Sequence, residues 1–200
     1  SSNFKEPLYD FLKKYALKLE DHVKLLSYCK EKKIEYLCTP FSFKAAEELL
    51  RIGVRYFKIG SGEMTDIPTL KKIAKFNLPM IVSTGMSTID EIKETYEAIT
   101  NINKKLILMN CTSEYPPNYE DINLGFIPIM QKKFPKAYIG HSDHTSGLAT
   151  SLGAVTVGAK IIEKHVTLDK TKKGPDGDVS ISFEELSVLV KEIDCLSRAL

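Results

Sequence analysis

His144 and His165 are the residues of this chain whose type and placement speak most directly of chemistry. His144 follows the apolar run Tyr138–Gly140, and His165 lies near the end of the next one, Lys160–Val166. If those runs are consecutive parallel strands, the two imidazoles face one mouth. Such a pair suits a borderline divalent ion such as Mn²⁺, Zn²⁺, Co²⁺ or Fe²⁺, with water and substrate oxygens completing the coordination. A single histidine is more often a hydrogen-bonded structural residue. Asp143 and Glu163 flank the pair and read either as partners that orient the rings or as ligands themselves.

A second group is Lys58 with Thr39, Ser61, Ser83, Ser113 and Ser142. One ammonium among small hydroxyls and glycine-rich turns offers charge neutralisation and short-range donors to a phosphate or carboxylate. Serines after strands also serve as helix caps, which accounts for some of them. A lysine inside a buried run is harder to dismiss, because an unpaired charge there is costly. Glu63 reads as a general base at a strand end, or as an ion-pair partner of Lys58. Gly174-Pro175-Asp176-Gly177-Asp178 reads as a turn, or as the source of a carboxylate for a polyhydroxyl substrate. Cys111 sits beside these groups and reads first as a buried strand residue.

The elements that must position these groups alternate regularly. Strand candidates are Ile34–Cys38, Tyr56–Ile59, Met80–Ser83, Leu106–Asn110, Tyr138–Gly140 and Lys160–Val166. Helical periodicity marks Ala45–Arg51, Thr69–Phe76, Ile89–Ile99, Ser146–Val157 and Glu184–Leu200. Thr88 with Glu91 and Ser182 with Glu185 have capping-box spacing, and Asp66-Ile67-Pro68 reads as a helix start. The first stretch, Ser1 to Glu20, is polar and weakly patterned.

Near-continuously apolar strands separated by helices imply a parallel sheet covered on both faces. The polar clusters follow each strand, where α/β barrels build their sites; a doubly wound sheet would gather them at one switch point. The expected fold is therefore α/β, a TIM (β/α)8-type barrel. Six β/α units are countable, so the first two are expected to be lacking, with residues 1–200 forming a single partial catalytic domain.

Composition bounds the function. With 43% hydrophobic and 27% charged residues and a formal net charge of +2, the chain can bury a core and presents no basic surface for nucleic acid. No apolar run approaches the roughly 18 residues of a membrane span. The start, Ser1-Ser2-Asn3, resembles neither a signal peptide nor a natural initiator, so an excised segment or processed product is expected. Cys29, Cys38, Cys111 and Cys195 form no C-x-x-C pair, which points to free thiols in a reducing cytoplasm.

Lys58-Ile-Gly-Ser-Gly-Glu63, Val82-Ser-Thr-Gly-Met86, Cys111-Thr-Ser-Glu-Tyr-Pro116 with Glu120-Asp-Ile-Asn123, Gly140-His-Ser-Asp-His-Thr145, Glu163-Lys-His165 and Gly174-Pro-Asp176 stand in one order and spacing. In these motifs the chain resembles the sialic acid synthases (N-acetylneuraminate synthase and its legionaminate and pseudaminate relatives), from about Glu35 to Leu200. That family condenses phosphoenolpyruvate with an open-chain N-acetylated hexose, typically N-acetylmannosamine, giving a nine-carbon 2-keto acid and phosphate.

The resemblance implies that His144 and His165 hold Mn²⁺ or Mg²⁺, which polarises the sugar aldehyde. It implies phosphoenolpyruvate contacts from Thr39, Lys58, Ser61, Ser83, Ser113 and Ser142. Glu63 handles the water or enol proton, and Tyr115 and Asp176 meet the sugar. The Lys58–Glu63 motif is nearer the sialic and legionaminic branch. The family's first two strands, which supply an acidic residue and a lysine to phosphoenolpyruvate, are expected to be absent, as is its C-terminal antifreeze-like domain. His141 replaces the usual tyrosine or phenylalanine, and Gly177 replaces a histidine. The expected partner is a second copy of the chain or the missing part of its own barrel. A metal-dependent aldolase and a non-catalytic assembly subunit are the competing readings.

Overall fold

The computed structural model describes residues 7–172 and 174–200. Helices α1 (Leu8–Tyr15), α2 (Leu19–Glu31) and α3 (Phe43–Ile52) precede strand β1 (Phe57–Ile59). The chain then alternates: α4 (Ile67–Ala74), β2 (Met80–Ser83), α5 (Ile89–Thr100), β3 (Leu106–Cys111), α6 (Phe126–Lys133), β4 (Ala137–Asp143), α7 (Ala149–Thr156), β5 (Ile162–Lys164) and α8 (Phe183–Ala199). All neighbouring strands are parallel and lie in chain order, β1-β2-β3-β4-β5. The fold is an α/β half-barrel of the TIM type, and every strand delivers its C-terminal end to one rim.

Local chemistry explains where the helices start. Ser42 accepts from the Ala45 amide at 3.1 Å, and Asp66 accepts from the Thr69 amide at 3.2 Å. Thr88–Glu91 and Ser182–Glu185 form capping boxes, with each glutamate reaching back to the cap amide at 2.7 Å. Gly53, at φ 94°, ends α3 in the left-handed conformation that a side chain would strain.

Strand alternation sorts the interior. Phe57, Ile59, Met80, Val82, Leu106, Leu108 and Ile139 pack against the helices in the main core, with Leu70, Ile92, Ile99, Met130 and Phe134. The opposite face carries Ile81, Ile107 and Met109 together with Lys58, Ser83, Cys111, Ser142 and Glu163.

The strand expected at Ile34–Cys38 does not form: this segment makes no ladder with β1, which pairs with β2 alone. Tyr36 and Cys38 pack on the main core while Ile34 and Leu37 remain exposed. A short apolar run reads like a strand in sequence, but strand identity requires a hydrogen-bonded neighbour. The second difference is β4, which continues three residues past Gly140 through His-Ser-Asp. Its polar end is buried, so it carries no apolar signal. β5 is shorter than Lys160–Val166; Val166 makes an isolated bridge to Ile181. Finally, α1 occupies the stretch read as weakly patterned, where Leu8, Phe11, Leu12 and Tyr15 have helical spacing; Ser1–Glu6 lie outside the described residues.

Candidate active site

The rim holds a cleft of about 500 Å³ lined by Thr39, Lys58, Ser61, Glu63, Ser83, Ser113, Tyr115, Ser142, His144 and His165. The structure therefore brings together every site residue expected from sequence except Asp176. Asp176 stands at the edge, its Oδ2 3.6 Å from His165 Nδ1. Phe41, Gly60, Gly62, Met86, Cys111 and Glu163 complete the lining. Phe41 and Met86 are exposed at the mouth; they were not named as site residues from sequence, because an apolar side chain carries no chemical signal of its own.

Lys58 is buried at 8% exposure and points along the rim. Its ammonium donates to Ser83 Oγ at 2.8 Å and to the Ile59 carbonyl at 3.2 Å, and stands 3.5 Å from Glu163 Oε2. Among the described residues its ion-pair partner is thus Glu163; the Lys58–Glu63 pair weighed from sequence does not form. The Gly85 amide donates to Ser61 Oγ at 3.1 Å. A Cβ on Gly85 would stand 2.2 Å from Ser113 Oγ and 2.9 Å from Ser61 Oγ. Ser61, Gly85 and Ser113 therefore converge on one small space in the cleft that Lys58 also lines, an arrangement of hydroxyls and ammonium that can bind a phosphate or carboxylate.

The histidines meet as the sequence suggested, with ring centroids 5.2 Å apart at 63°. Tyr115 stacks on His144 at 4.1 Å and presents its edge to His165 at 5.6 Å. Burial raises the Tyr115 phenol to about 12, with electrostatic repulsion from Cys111, Asp176 and Glu163 acting in the same direction, so it is a hydrogen-bond donor at neutral pH. Burial also holds the His144 imidazole below its ordinary value, against an opposing hydrogen bond to Thr112 and with help from His165.

The tautomer of His144 follows from its partner. His144 Nδ1 lies 2.7 Å from the Thr112 carbonyl, which can only accept, so Nδ1 carries the proton and Nε2 keeps its lone pair. Ser142 Oγ, 3.4 Å from that Nε2, already donates to Glu163 Oε1 at 2.7 Å. Asp176 Oδ2, 3.6 Å from His165 Nδ1, lies within ion-pair distance of that ring but makes no hydrogen bond to it. Histidines that bind metal characteristically commit their other nitrogen as His144 does; with His165 5.2 Å away between ring centroids, the pair fits a divalent ion. No group of three or more His, Cys, Asp or Glu arranged to hold a metal occurs among the described residues. The remaining ligands would be water or substrate oxygens.

Neither Asp143 nor Glu163 hydrogen-bonds to the rings. Glu163 is engaged by Lys58 and Ser142, and Asp143 faces the helical layer. The ring of His144 is oriented instead by the Thr112 carbonyl, for which a sequence has no signal.

The NeuB family model matches residues 1–200. The chain belongs to the NeuB family. The match reaches further toward the N-terminus than the motifs, which begin to carry the resemblance near Glu35. The N,N'-diacetyllegionaminic acid synthase of Campylobacter jejuni is 39% identical over 198 residues, 98% of this chain and 59% of that protein. The N-acetylneuraminate-9-phosphate synthase of Homo sapiens is 39% identical over 181 residues, 90% of this chain and 50% of that protein. The chain thus spans roughly half the length of the curated relatives it matches. Among solved structures, the N-acetylneuraminic acid synthetase of Leptospira borgpetersenii, crystallised with citrate, superposes with a TM-score of 0.92 at 32% identity. That superposition covers 99% of this chain and 70% of the other.

Proposed function

We propose that this chain carries the catalytic rim of a synthase that condenses phosphoenolpyruvate with an N-acetylated hexose, N-acetylmannosamine or a close relative. The products are a nine-carbon 2-keto sugar acid and phosphate. The observation that carries this reading is the meeting of an anion cradle and a paired-histidine metal site in one cleft. The names borne by its relatives, synthases of legionaminic acid and of N-acetylneuraminate 9-phosphate, support the sugar class.

In this reading Lys58, Ser83 and the Ser61–Gly85–Ser113 corner bind the phosphate and carboxylate of phosphoenolpyruvate, with Thr39 and Ser142 alongside. His144 and His165 hold Mn²⁺ in preference to Mg²⁺, since paired imidazoles suit the softer ion and Mg²⁺ favours oxygen. When bound, the metal supplies Lewis acidity at the sugar aldehyde. The methylene carbon of phosphoenolpyruvate joins the aldehyde carbon, the aldehyde oxygen gains a proton, and water releases the phosphate. Glu63, partly exposed in the cleft, handles the water or the enol proton. Tyr115, protonated, and Asp176 meet the sugar hydroxyls.

Residues 1–200 form one partial barrel domain in this account. Within the described residues β1 and β5 each pair on one side only. Further barrel strands or a second copy of the chain would close those edges. The setting is cytoplasmic; the four cysteines are free, and no helix among the described residues is long and apolar enough to cross a membrane.

The test is mass spectrometry of the full chain incubated with phosphoenolpyruvate, N-acetylmannosamine and Mn²⁺. A nine-carbon keto acid appearing with one equivalent of phosphate supports the proposal. Cleavage of such an acid to pyruvate without phosphate chemistry would identify an aldolase instead.

A further inference from the structure

Asp143 and Lys164 are partners in the β4–β5 register, and each immediately precedes one of the two histidines. Their side chains lie under α7, 0% and 3% exposed, with Lys164 Nζ 3.2 Å from Asp143 Oδ2. The carboxylate is saturated. Oδ2 accepts from Thr150 Oγ1 at 2.8 Å and Ser151 Oγ at 2.5 Å, both on α7, and Oδ1 accepts from the Thr145 amide at 2.9 Å. Lys164 donates in turn to the Thr145 carbonyl and lies 3.4 Å from Thr145 Oγ1.

These bonds enclose His144. The residue before it is tied to α7 and to β5, and the residue after it is tied to both members of the pair. His165 is fixed through Lys164, whose ammonium crosses to β4. The ring of His144 is held independently by the Thr112 carbonyl. A metal with only two protein ligands depends strongly on their spacing, since functional groups must be held within roughly 0.5 Å of the working geometry.

We propose that the buried Asp143–Lys164 pair is a positioning clamp that sets the separation of His144 and His165 and hence the metal affinity of the rim. The inference rests on the metal site of the proposed function. A purely structural ion pair would contribute to folding and leave metal affinity untouched.

Mn²⁺ affinity of the full chain, read by electron paramagnetic resonance of the free ion, separates these roles when thermal unfolding in chelator is followed in parallel. Asp143→Asn, which keeps shape and loses charge, is expected to weaken Mn²⁺ binding by about 10–100-fold, the range seen when outer partners of metal ligands are lost. Replacing both partners by apolar residues, Asp143→Leu with Lys164→Met, guards against a simple folding defect, because a buried pair so replaced often keeps its stability. This folded double variant is also expected to bind Mn²⁺ at least about tenfold more weakly. Wild-type affinity in a folded double variant would overturn the clamp alone. Absence of Mn²⁺ binding by the unaltered chain would overturn the clamp together with the metal reading beneath it.

Discussion

Lys58 Nζ stands 3.5 Å from Glu163 Oε2, so a carboxylate of the protein and any anion in the cleft draw on the same ammonium. Glu163 is 37% exposed at its side chain, which limits the worth of that pair to about 1 kcal/mol or less. Glu163→Gln removes the competitor and retains the acceptor for Ser142. It is expected to tighten inorganic phosphate binding up to about fivefold, the equivalent of about 1 kcal/mol. Isothermal titration checks this, with Lys58→Met losing the binding. Weaker binding in Glu163→Gln would mean that the carboxylate assists the anion.

Gly85 has no room for a side chain. A methyl there would meet Ser113 Oγ at 2.2 Å and Ser61 Oγ at 2.9 Å, so both hydroxyls must swing out of the corner. Gly85→Ala is expected to cost about 1–3 kcal/mol of stability, as overpacking does, and to abolish measurable phosphate binding. Urea denaturation and the same titration measure the two effects. Retained phosphate binding would remove Gly85 and its serine neighbours from the anion site.

Much of this was legible before the fold was known. The apolar runs at Met80–Ser83 and Leu106–Asn110 are strands because both their faces are covered, and the polar clusters mark the rim. Two things resisted. Ile34–Cys38 has a strand's apolar run but no hydrogen-bonded neighbour, a property of the assembled sheet rather than of the segment. His141-Ser142-Asp143 looked like a loop, because the strand's end is polar. Once β4 is known to reach Asp143, parity sends Ser142 into the cleft and His141 and Asp143 under the helices. Asp143 therefore turned from a suspected ring partner into a buried anchor. The carbonyl of Thr112 was invisible in principle, since every residue has one.

His141 is 1% exposed, and its Nε2 has no hydrogen-bond partner among the described residues. Nδ1 lies 3.2 Å from the Asn110 carbonyl and donates to it. Burial lowers the imidazole pKa. The Asp143 charge and the Asn110 bond push it up, while His144 and Lys164 reinforce the fall. The unfolded chain then binds the proton first as pH falls below about 6.5, so this residue's contribution is complete above that value and lost below it. His141→Phe is expected to raise stability by about 1–2 kcal/mol, by removing an unsatisfied buried group, and to flatten the decline between about pH 6.5 and 5. Urea midpoints across that range test it, and parallel profiles for the two proteins would contradict it.

The central claim is that one cleft unites phosphoenolpyruvate chemistry with a metal on His144 and His165. Phosphate release from phosphoenolpyruvate with N-acetylmannosamine and Mn²⁺, compared among the unaltered chain, His144→Ala and His165→Ala, tests it most directly. Release that requires the sugar and falls to background in both variants is the expected result. Release that ignores the sugar, or that survives either substitution, would contradict the claim.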